Sequence, residues 1–279
     1  MVSALIDERL LRWRLHHFPL VWYGQSVVTD KTEEGQAGQL FRSSKLVRLY
    51  SSPTWGPSCP TLSKLRSPST NLLRTPEPRC ACLLLLDTSG SMGGPPIREL
   101  NEGLKTFHHE LSQDSLAMKR VEIAVVTFGP VRIESDFKTV DNWQPPHLTA
   151  SGDTPMGAAI VKGLEMLRLR KDQYRANAIE VFRPWVFLMT DGGPTDSWQR
   201  AAEMVKAGEA RRGFAFFGIG VENANMDILG KICVRTPVKM AGLKFSDMFK
   251  WLSSSLSNVS SSQPGTTVPI TPPTGWTEV

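Results

Sequence analysis

The sequence has little cysteine, and its four cysteines are poorly spaced for a metal site or a disulfide framework. Cys59 and Cys233 lie far from the close pair Cys80 and Cys82, so the paired spacings of zinc sites are missing. Residues two apart in a strand point to the same face, and we expect Cys80 and Cys82 to pack there as small apolar groups. Free thiols favour a reducing, cytoplasmic compartment.

Long apolar runs and concentrated charge are also missing. Residues 10–23 are partly apolar, but Arg12, Arg14, His16 and His17 interrupt them, which argues against a membrane span or a signal peptide. Residues 1–78 hold 10 basic and 6 acidic side chains, a net +4 of the +5 carried by the chain, and these charges are scattered. We therefore expect neither a nucleic acid nor a membrane as partner.

The most informative feature that is present is a polar string directly after an apolar run. Residues 82–86 read CLLLL, and Asp87, Ser89 and Ser91 follow in the string DTSGS. The run predicts a buried parallel strand, whose carboxyl end is where open α/β sheets bind ligands. Carboxylate and hydroxyl oxygens suit Mg²⁺ or Mn²⁺ better than zinc or copper. The alternative is a polar turn whose serines cap the next helix.

Two later segments offer further oxygen ligands where a doubly wound sheet would bring them alongside the first. Thr154 stands just before Pro155 and an apolar-periodic run, so its hydroxyl lies at a predicted helix start. Asp191 comes soon after residues 185–189, which read WVFLM and predict a second buried strand. A divalent metal site at one sheet edge is the interpretation that these segments favour.

Two strand-end aspartates and three hydroxyls in this order resemble the metal-ion-dependent adhesion site of the von Willebrand factor A domain family. All five positions of that pattern are filled, by Asp87, Ser89, Ser91, Thr154 and Asp191. The resemblance covers the chain from about residue 80 to the C-terminus. Within the family, it is similar to the bacterial TerY-like proteins, associated with tellurite resistance, in the strings LDTSGSM (86–92), NEGL (101–104), TFG (127–129), LTASGDT (148–154) and FLMTDGGPTD (187–196).

The resemblance implies a function in protein binding. In the family, a carboxylate from an Asp or Glu of a protein partner commonly completes the metal shell, so we expect a Mg²⁺-dependent interaction module (or Mn²⁺) of a cytoplasmic, tellurite-resistance-like stress-response system. One alternative is an accessory subunit of an ATPase or chelatase-type complex. Another is a metal-dependent hydrolase. The oligomeric state is not indicated.

Signatures of catalysis are incomplete around this pattern. Residue 89 is Ser, where an aspartyl-nucleophile phosphatase needs a second carboxylate two residues after Asp87. Residues 90–93 read GSMG, one residue short of the serine hydrolase elbow. Residues 93–96 read GGPP and lack the lysine of a phosphate-binding loop. His147, in the loop before Thr154, is interpreted as a surface residue, and we expect no enzyme.

Strand and helix patterns alternate along the chain and predict an α/β fold with a doubly wound, mostly parallel, Rossmann-like sheet flanked by helices, with one antiparallel edge strand. Strands are predicted over residues 82–87, 121–128, 131–137, 185–189 and 214–219. Helices are predicted over residues 97–111, 156–167, 198–211, 226–232 and 245–256. Asp196 and Trp198 are interpreted as a helix N-cap with a core aromatic behind it, and the alternative is that they flank the partner surface. Trp143 is either an exposed partner anchor or part of the sheet's cover.

Three regions follow from these patterns. Residues 79–257 form the predicted von Willebrand A domain, large enough to bury its own core. Residues 1–78 form a basic, Ser/Pro-rich extension without sustained periodicity, expected to be poorly structured or to result from a start codon placed too far upstream. Residues 258–279, rich in Ser, Pro and Thr, are a predicted flexible tail.

Overall fold

A computed structural model of the chain describes residues 76–240, 242–266, 268 and 277–278. The prediction for residues 1–78 therefore lies almost entirely outside the described residues, as does much of the predicted tail. The strands are β1 (Cys80–Asp87), β2 (Val121–Phe128), β3 (Arg132–Thr139), β4 (Trp185–Thr190), β5 (Ala215–Val221), β6 (Val238–Met240) and β7 (Thr277–Glu278). The helices are α1 (Pro95–Ser112), α2 (Ala117–Arg120), α3 (Met156–Ala176), α4 (Gln199–Ala210), α5 (Met226–Ile232) and α6 (Phe245–Ser261).

The strands form one mixed sheet in the order β3-β2-β1-β4-β5-β6-β7. The neighbouring pairs β2–β1, β1–β4, β4–β5 and β5–β6 are parallel, and β3 is antiparallel to β2 at one edge. The predicted α/β fold with a mostly parallel sheet and an antiparallel edge strand is confirmed. The short strand β7, antiparallel to β6 at the other edge, was not predicted.

Both faces of the central strand β1 are buried, which explains its unbroken apolar sequence. Leu84 and Leu86 pack on one face in a cluster with apolar side chains of α1 and α6. Leu83 and Leu85 pack on the opposite face in a cluster with side chains of α3, α4 and α5. This alternation follows from the two-residue period of a strand, and it fixes β1 in the middle of a three-layer α/β/α domain.

Several sequence predictions about the core are settled by these clusters. Cys80 and Cys82 are fully buried in the same cluster, as predicted for small apolar groups on one strand face. Trp143 is also fully buried there, so it belongs to the cover of the sheet and is not an exposed anchor. Among the helices of the described ranges, none combines the length and apolarity needed to cross a membrane.

The element boundaries follow the sequence patterns at many ends, with several differences. Helix α3, predicted over residues 156–167, continues to Ala176, and the short helix α2 was not predicted. Strand β2 and helix α5 have the predicted bounds, and α1 begins with two prolines, which suit a first helical turn. Helix α6, predicted to end at residue 256, continues to Ser261. Strand β6 was missed because three residues are too few to show a period.

Candidate metal centre

Asp87 is the last residue of β1, and both of its carboxylate oxygens accept hydrogen bonds. The backbone N–H of Ser89 donates to Oδ1 over 2.9 Å, and the hydroxyl of Thr190 donates to Oδ2 over 2.5 Å. Leu86 pairs with Met189 in the sheet register, so the ends of β1 and β4 lie side by side. The carboxylate is therefore held from both strands at their carboxyl ends, where the sequence predicted ligands.

Three predicted ligands form a continuous chain of polar contacts. The hydroxyl oxygens of Ser89 and Ser91 are 3.0 Å apart, and the Ser91 hydroxyl donates to Oδ1 of Asp191 over 2.8 Å. The short 3-10 turn Gly90–Met92 brings Ser91 to this position. Ser89 and Asp191 are buried, whereas Ser91 is exposed, so the cluster opens to solvent at Ser91.

Thr154 reaches the same region from a third segment of the chain. It is buried, and the residues before it are bonded to the loop after β1. Ser151 N donates to the carbonyl oxygen of Thr88 over 2.8 Å, and Gly90 N donates to that of Gly152 over 2.9 Å. The structure therefore brings all five predicted residues to one edge of the sheet, with Thr154 held there through its loop; their role as metal ligands stays a prediction.

Three polar residues around the cluster had no role, or a different one, in the sequence interpretation. Thr190 bonds Asp87, and Thr195 bonds the backbone of Thr154. Asp196 does bond to a helix start, as predicted for an N-cap, but to the start of α3 and not of the helix that follows it. Its carboxylate accepts from Gly157 N (2.9 Å) and Ala158 N (2.8 Å). Because these partners are 38 or 39 positions away in sequence, no local pattern signals the pairing.

Burial makes the carboxylate of Asp87 costly to charge. Asp87 is 1% exposed, and desolvation raises the pKa of its carboxyl. Hydrogen bonds from Ser89 and Thr190 lower this pKa, and the nearby charge of Asp191 raises it. A cation bound beside this carboxylate lowers the penalty. The charge of the cluster therefore fits a divalent ion.

The donor set and its spacing fit the same kind of ion. All five side chains offer oxygen, which hard cations prefer, and an octahedral Mg²⁺ shell with bonds of about 2.1 Å separates neighbouring oxygens by about 3 Å. The contacts from Ser89 to Ser91 and from Ser91 to Asp191 have this length. The described part of the chain has no group of three or more His, Cys, Asp and Glu residues placed to hold a metal. The oxygen cluster differs from such a group because it combines two carboxylates with three hydroxyls.

The structure also contains a cavity that lies outside the oxygen cluster. It has a volume of about 820 Å³ and is lined by residues at the starts of β4, β5 and β6, among them Trp185, Ala215 and Val238. Asp191 follows the opposite end of β4, roughly 16 Å away at the rise of a strand. None of the five predicted ligands lines this cavity.

Comparison with solved structures supports the fold. The pilus adhesin SpaC from Lactobacillus rhamnosus GG, in its open conformation, aligns with a TM-score of 0.52 at 13% identity, over 65% of this chain and 30% of the adhesin. A second crystal structure of SpaC gives a TM-score of 0.53 at 13% identity, over 65% of this chain and 31% of the adhesin. At this identity the likeness concerns the fold alone.

A mussel byssus protein is also similar. Proximal thread matrix protein 1, with a zinc-occupied metal-ion-dependent adhesion site, aligns with a TM-score of 0.45 at 17% identity, over 66% of this chain and 49% of that protein. The chain thus spans about half or less of each of these proteins.

The sequence itself identifies the family. No curated protein sequence matches the chain. The profile of the von Willebrand factor type A domain matches residues 83–249, which is more than half of the 279 residues and includes the strands and loops that carry the oxygen cluster. The chain therefore belongs to the von Willebrand factor type A domain family.

Proposed function

We propose that this domain binds a divalent cation, Mg²⁺ or Mn²⁺, in a complete metal-ion-dependent adhesion site, and that it uses the bound ion to hold a protein partner. The ligands are Asp87, Ser89, Ser91, Thr154 and Asp191. The observation that carries the proposal is the chain of side-chain oxygens from Ser89 through Ser91 to Asp191, at 3.0 and 2.8 Å, next to the buried carboxylate of Asp87.

Each residue contributes differently to this role. Ser89 and Ser91 offer neutral oxygens, so they ligate without adding charge, while Asp87 and Asp191 offset the charge of the ion directly or through water. Thr154 would offer its hydroxyl oxygen to the ion, as the ligand that could be exchanged when a partner binds. When bound, the ion supplies an electrostatic bridge to a carboxylate. Five protein ligands leave one position of an octahedral shell for an Asp or Glu of the partner, and the exposed Ser91 marks the open side.

Binding without catalysis is the second part of the proposal. The chain has Ser89 where an aspartyl-nucleophile phosphatase needs its second carboxylate, and His147, from the loop that leads to Thr154, is exposed to solvent. In the described residues, the hydroxyls of the cluster are bonded to each other and to carboxylates, and no histidine is bonded to them. The hydrogen bonds of the cluster instead hold oxygens for ligation.

The biological setting that we propose is a cytoplasmic stress-response system of the tellurite-resistance kind. It rests on the similarity of the strings around residues 86–92, 148–154 and 187–196 to the TerY-like group. The buried, unpaired thiols of Cys80, Cys82 and Cys233 fit a reducing compartment.

Titration calorimetry on the full chain with Mg²⁺ and Mn²⁺, in the absence and presence of acetate, tests the proposal. The expected result is one ion bound per chain, more tightly with acetate, because acetate supplies the partner's carboxylate. Ser91→Ala is the most informative variant, since its exposed position spares the fold. It should weaken binding strongly, whereas Ser197→Ala, an exposed serine beyond the cluster, should not.

Two results would contradict the proposal. One is the absence of binding at millimolar Mg²⁺ or Mn²⁺ with acetate present. The other is unchanged affinity in Ser91→Ala, which would locate the bound ion away from the oxygen cluster. Turnover of a generic phosphate ester that depends on Mg²⁺ and is lost in Asp87→Ala would contradict the assignment as a binding module and favour a hydrolase.

A further inference from the structure

Thr154 differs from the other four proposed ligands in where it lies on the chain. Asp87, Ser89 and Ser91 belong to the end of β1 and its loop, and Asp191 follows β4, the neighbouring strand. Thr154 instead precedes α3 and does not follow a strand of the sheet. The paired ends of β1 and β4 therefore position the first four ligands, directly or through the loops that follow. The position of Thr154 depends on the contacts of its own segment.

The residues before Thr154 are bonded to the loop after β1, through Ser151 to Thr88 and through Gly152 to Gly90. The residues from Thr154 onward are bonded to a different loop, the one after β4. Thr154 N donates to the hydroxyl of Thr195 over 3.1 Å, and Thr195 N donates to the carbonyl oxygen of Thr154 over 2.9 Å. Thr154 is thus the point where the two ligand-bearing loops are joined.

The next residue strengthens this second attachment. The Asp196 carboxylate accepts hydrogen bonds from Gly157 N and Ala158 N, so the loop after β4 also holds the first turn of α3. A Cβ atom on Gly157 would lie 2.4 Å from the carbonyl oxygen of Ser197. The loop therefore rests directly on the helix start, with no room for a side chain between them.

We propose that Thr195 is a positioning residue of the metal site, which acts through Thr154, with Asp196 anchoring the same loop to α3. This inference rests on the proposed function. Thr195 and Asp191 share one loop, so the bonds of Thr195 fix the distance of Thr154 from Asp191 before a cation arrives. If Thr154 moves when a partner binds, either these two hydrogen bonds break or Thr195 moves together with Thr154.

Thr195 offers a clean test because it is exposed and its hydroxyl can be removed with little change of shape. Thr195→Val keeps the branched side chain and the backbone donor to Thr154, and it removes only the acceptor for Thr154 N. We expect Mg²⁺ to bind at least about tenfold more weakly, the range found when residues that orient metal ligands are changed. Thr195→Ser, which keeps the hydroxyl, should bind within about twofold of the native chain.

A second readout separates positioning from a general loss of structure. Mg²⁺ requires a near-ideal octahedron, whereas Ca²⁺ accepts irregular shells. A displaced Thr154 should therefore weaken Mg²⁺ binding more than Ca²⁺ binding, and the ratio of the two affinities should fall in Thr195→Val. The cation-free thermal unfolding midpoint of Thr195→Val measures any general loss of stability separately, and Ser197→Ala should leave both affinities unchanged.

The possible results lead to different conclusions. If the native chain binds no Mg²⁺, the proposed function and this inference both fail. If the native chain binds Mg²⁺ and Thr195→Val binds it equally well, only the role of Thr195 is wrong. Equal weakening of Mg²⁺ and Ca²⁺, or no recovery in Thr195→Ser, would also overturn positioning through Thr154.

Discussion

At the scale of single residues, the hydroxyl of Thr190 stabilises the carboxylate of Asp87. It donates to a carboxylate oxygen over 2.5 Å, and both residues are 1% exposed. Thr190→Val keeps the shape and removes the donor, which leaves a buried carboxylate oxygen without this partner. We expect the cation-free protein to lose about 1–3 kcal/mol of unfolding free energy.

Urea unfolding of the cation-free full chain measures this loss. Thr190→Ser retains the hydroxyl and serves as the matched control, although its lost methyl group also costs some stability, about 1 kcal/mol. Equal stability of Thr190→Val and the native chain would mean that the bond contributes nothing to folding.

The buried thiols give a second prediction at this scale. Desolvation raises the pKa of Cys80 and of Cys233 to about 12, and it raises that of Cys82 well above its usual range. At pH 8 a thiol with such a pKa is a thiolate in about one molecule in ten thousand, and the thiolate is the reactive form. The three thiols should therefore resist modification in the folded protein.

Labelling with a thiol reagent such as Ellman's reagent at pH 8 checks this, with Cys59→Ser removing the one cysteine outside the described residues. We expect no rapid labelling of the folded variant and labelling of all three thiols in urea. Rapid labelling of one thiol in the folded state would show that part of the core opens readily.

At the scale of elements, the contact between α3 and the loop after β4 determines the effect of a side chain at Gly157. Alanine is intrinsically better than glycine in a helix by up to about 1 kcal/mol, but the added Cβ would lie 2.4 Å from Ser197 O and 2.9 Å from Trp198 Cα. Gly157→Ala should therefore destabilise the domain by about 1–3 kcal/mol and weaken Mg²⁺ binding, because it pushes the loop away from Thr154.

Gly230 provides the matched control, since it lies inside helix α5 and a Cβ there would meet nothing within 4 Å. Gly230→Ala should leave stability unchanged or raise it, and it should not affect Mg²⁺ affinity. Urea unfolding and calorimetry on both variants make the comparison. If Gly157→Ala changed neither the stability nor the Mg²⁺ affinity, the loop after β4 would move aside without a cost in free energy.

The sequence predicts elements well where one segment carries its own signal. The apolar period of β2 and α5 gave their bounds, and the polar string after β1 located the oxygen cluster. Prediction failed where a role depends on a distant partner, because Asp196 caps a helix that precedes it by about 40 positions. A short strand such as β6 is fixed by its pairing with β5, and that information is not contained in three residues.

At the scale of the whole molecule, the strand order explains why distant residues form one cluster. Strands β1 and β4 are neighbours although about 100 positions separate them, and their parallel direction places both carboxyl ends at the same edge. In any sheet of this topology, the positions that Asp87 and Asp191 occupy lie close together. The side-chain bonds of Thr190 and the two bonds of Thr195, one through its hydroxyl and one through its backbone N–H, then adjust the cluster locally.

Cation binding should stabilise the entire fold, because the ligands come from three segments that separate when the chain unfolds. A ligand that binds only the folded state adds about 2.7 kcal/mol at 100 times its Kd. For a domain of 150–250 residues, each kcal/mol raises the midpoint of thermal unfolding by about 2–4 °C. Saturating Mg²⁺ with acetate should therefore raise Tm by roughly 5–11 °C.

Scanning calorimetry of the full chain, with sodium salts at equal ionic strength as reference, measures this shift. Ser91→Ala should have nearly the native Tm without Mg²⁺, because its position is exposed, and it should lose most of the increase. An equal increase in Ser91→Ala would mean that Mg²⁺ stabilises the protein through another surface. Because the shift depends on the folded state alone, it tests the coupling between metal site and fold without knowledge of the partner.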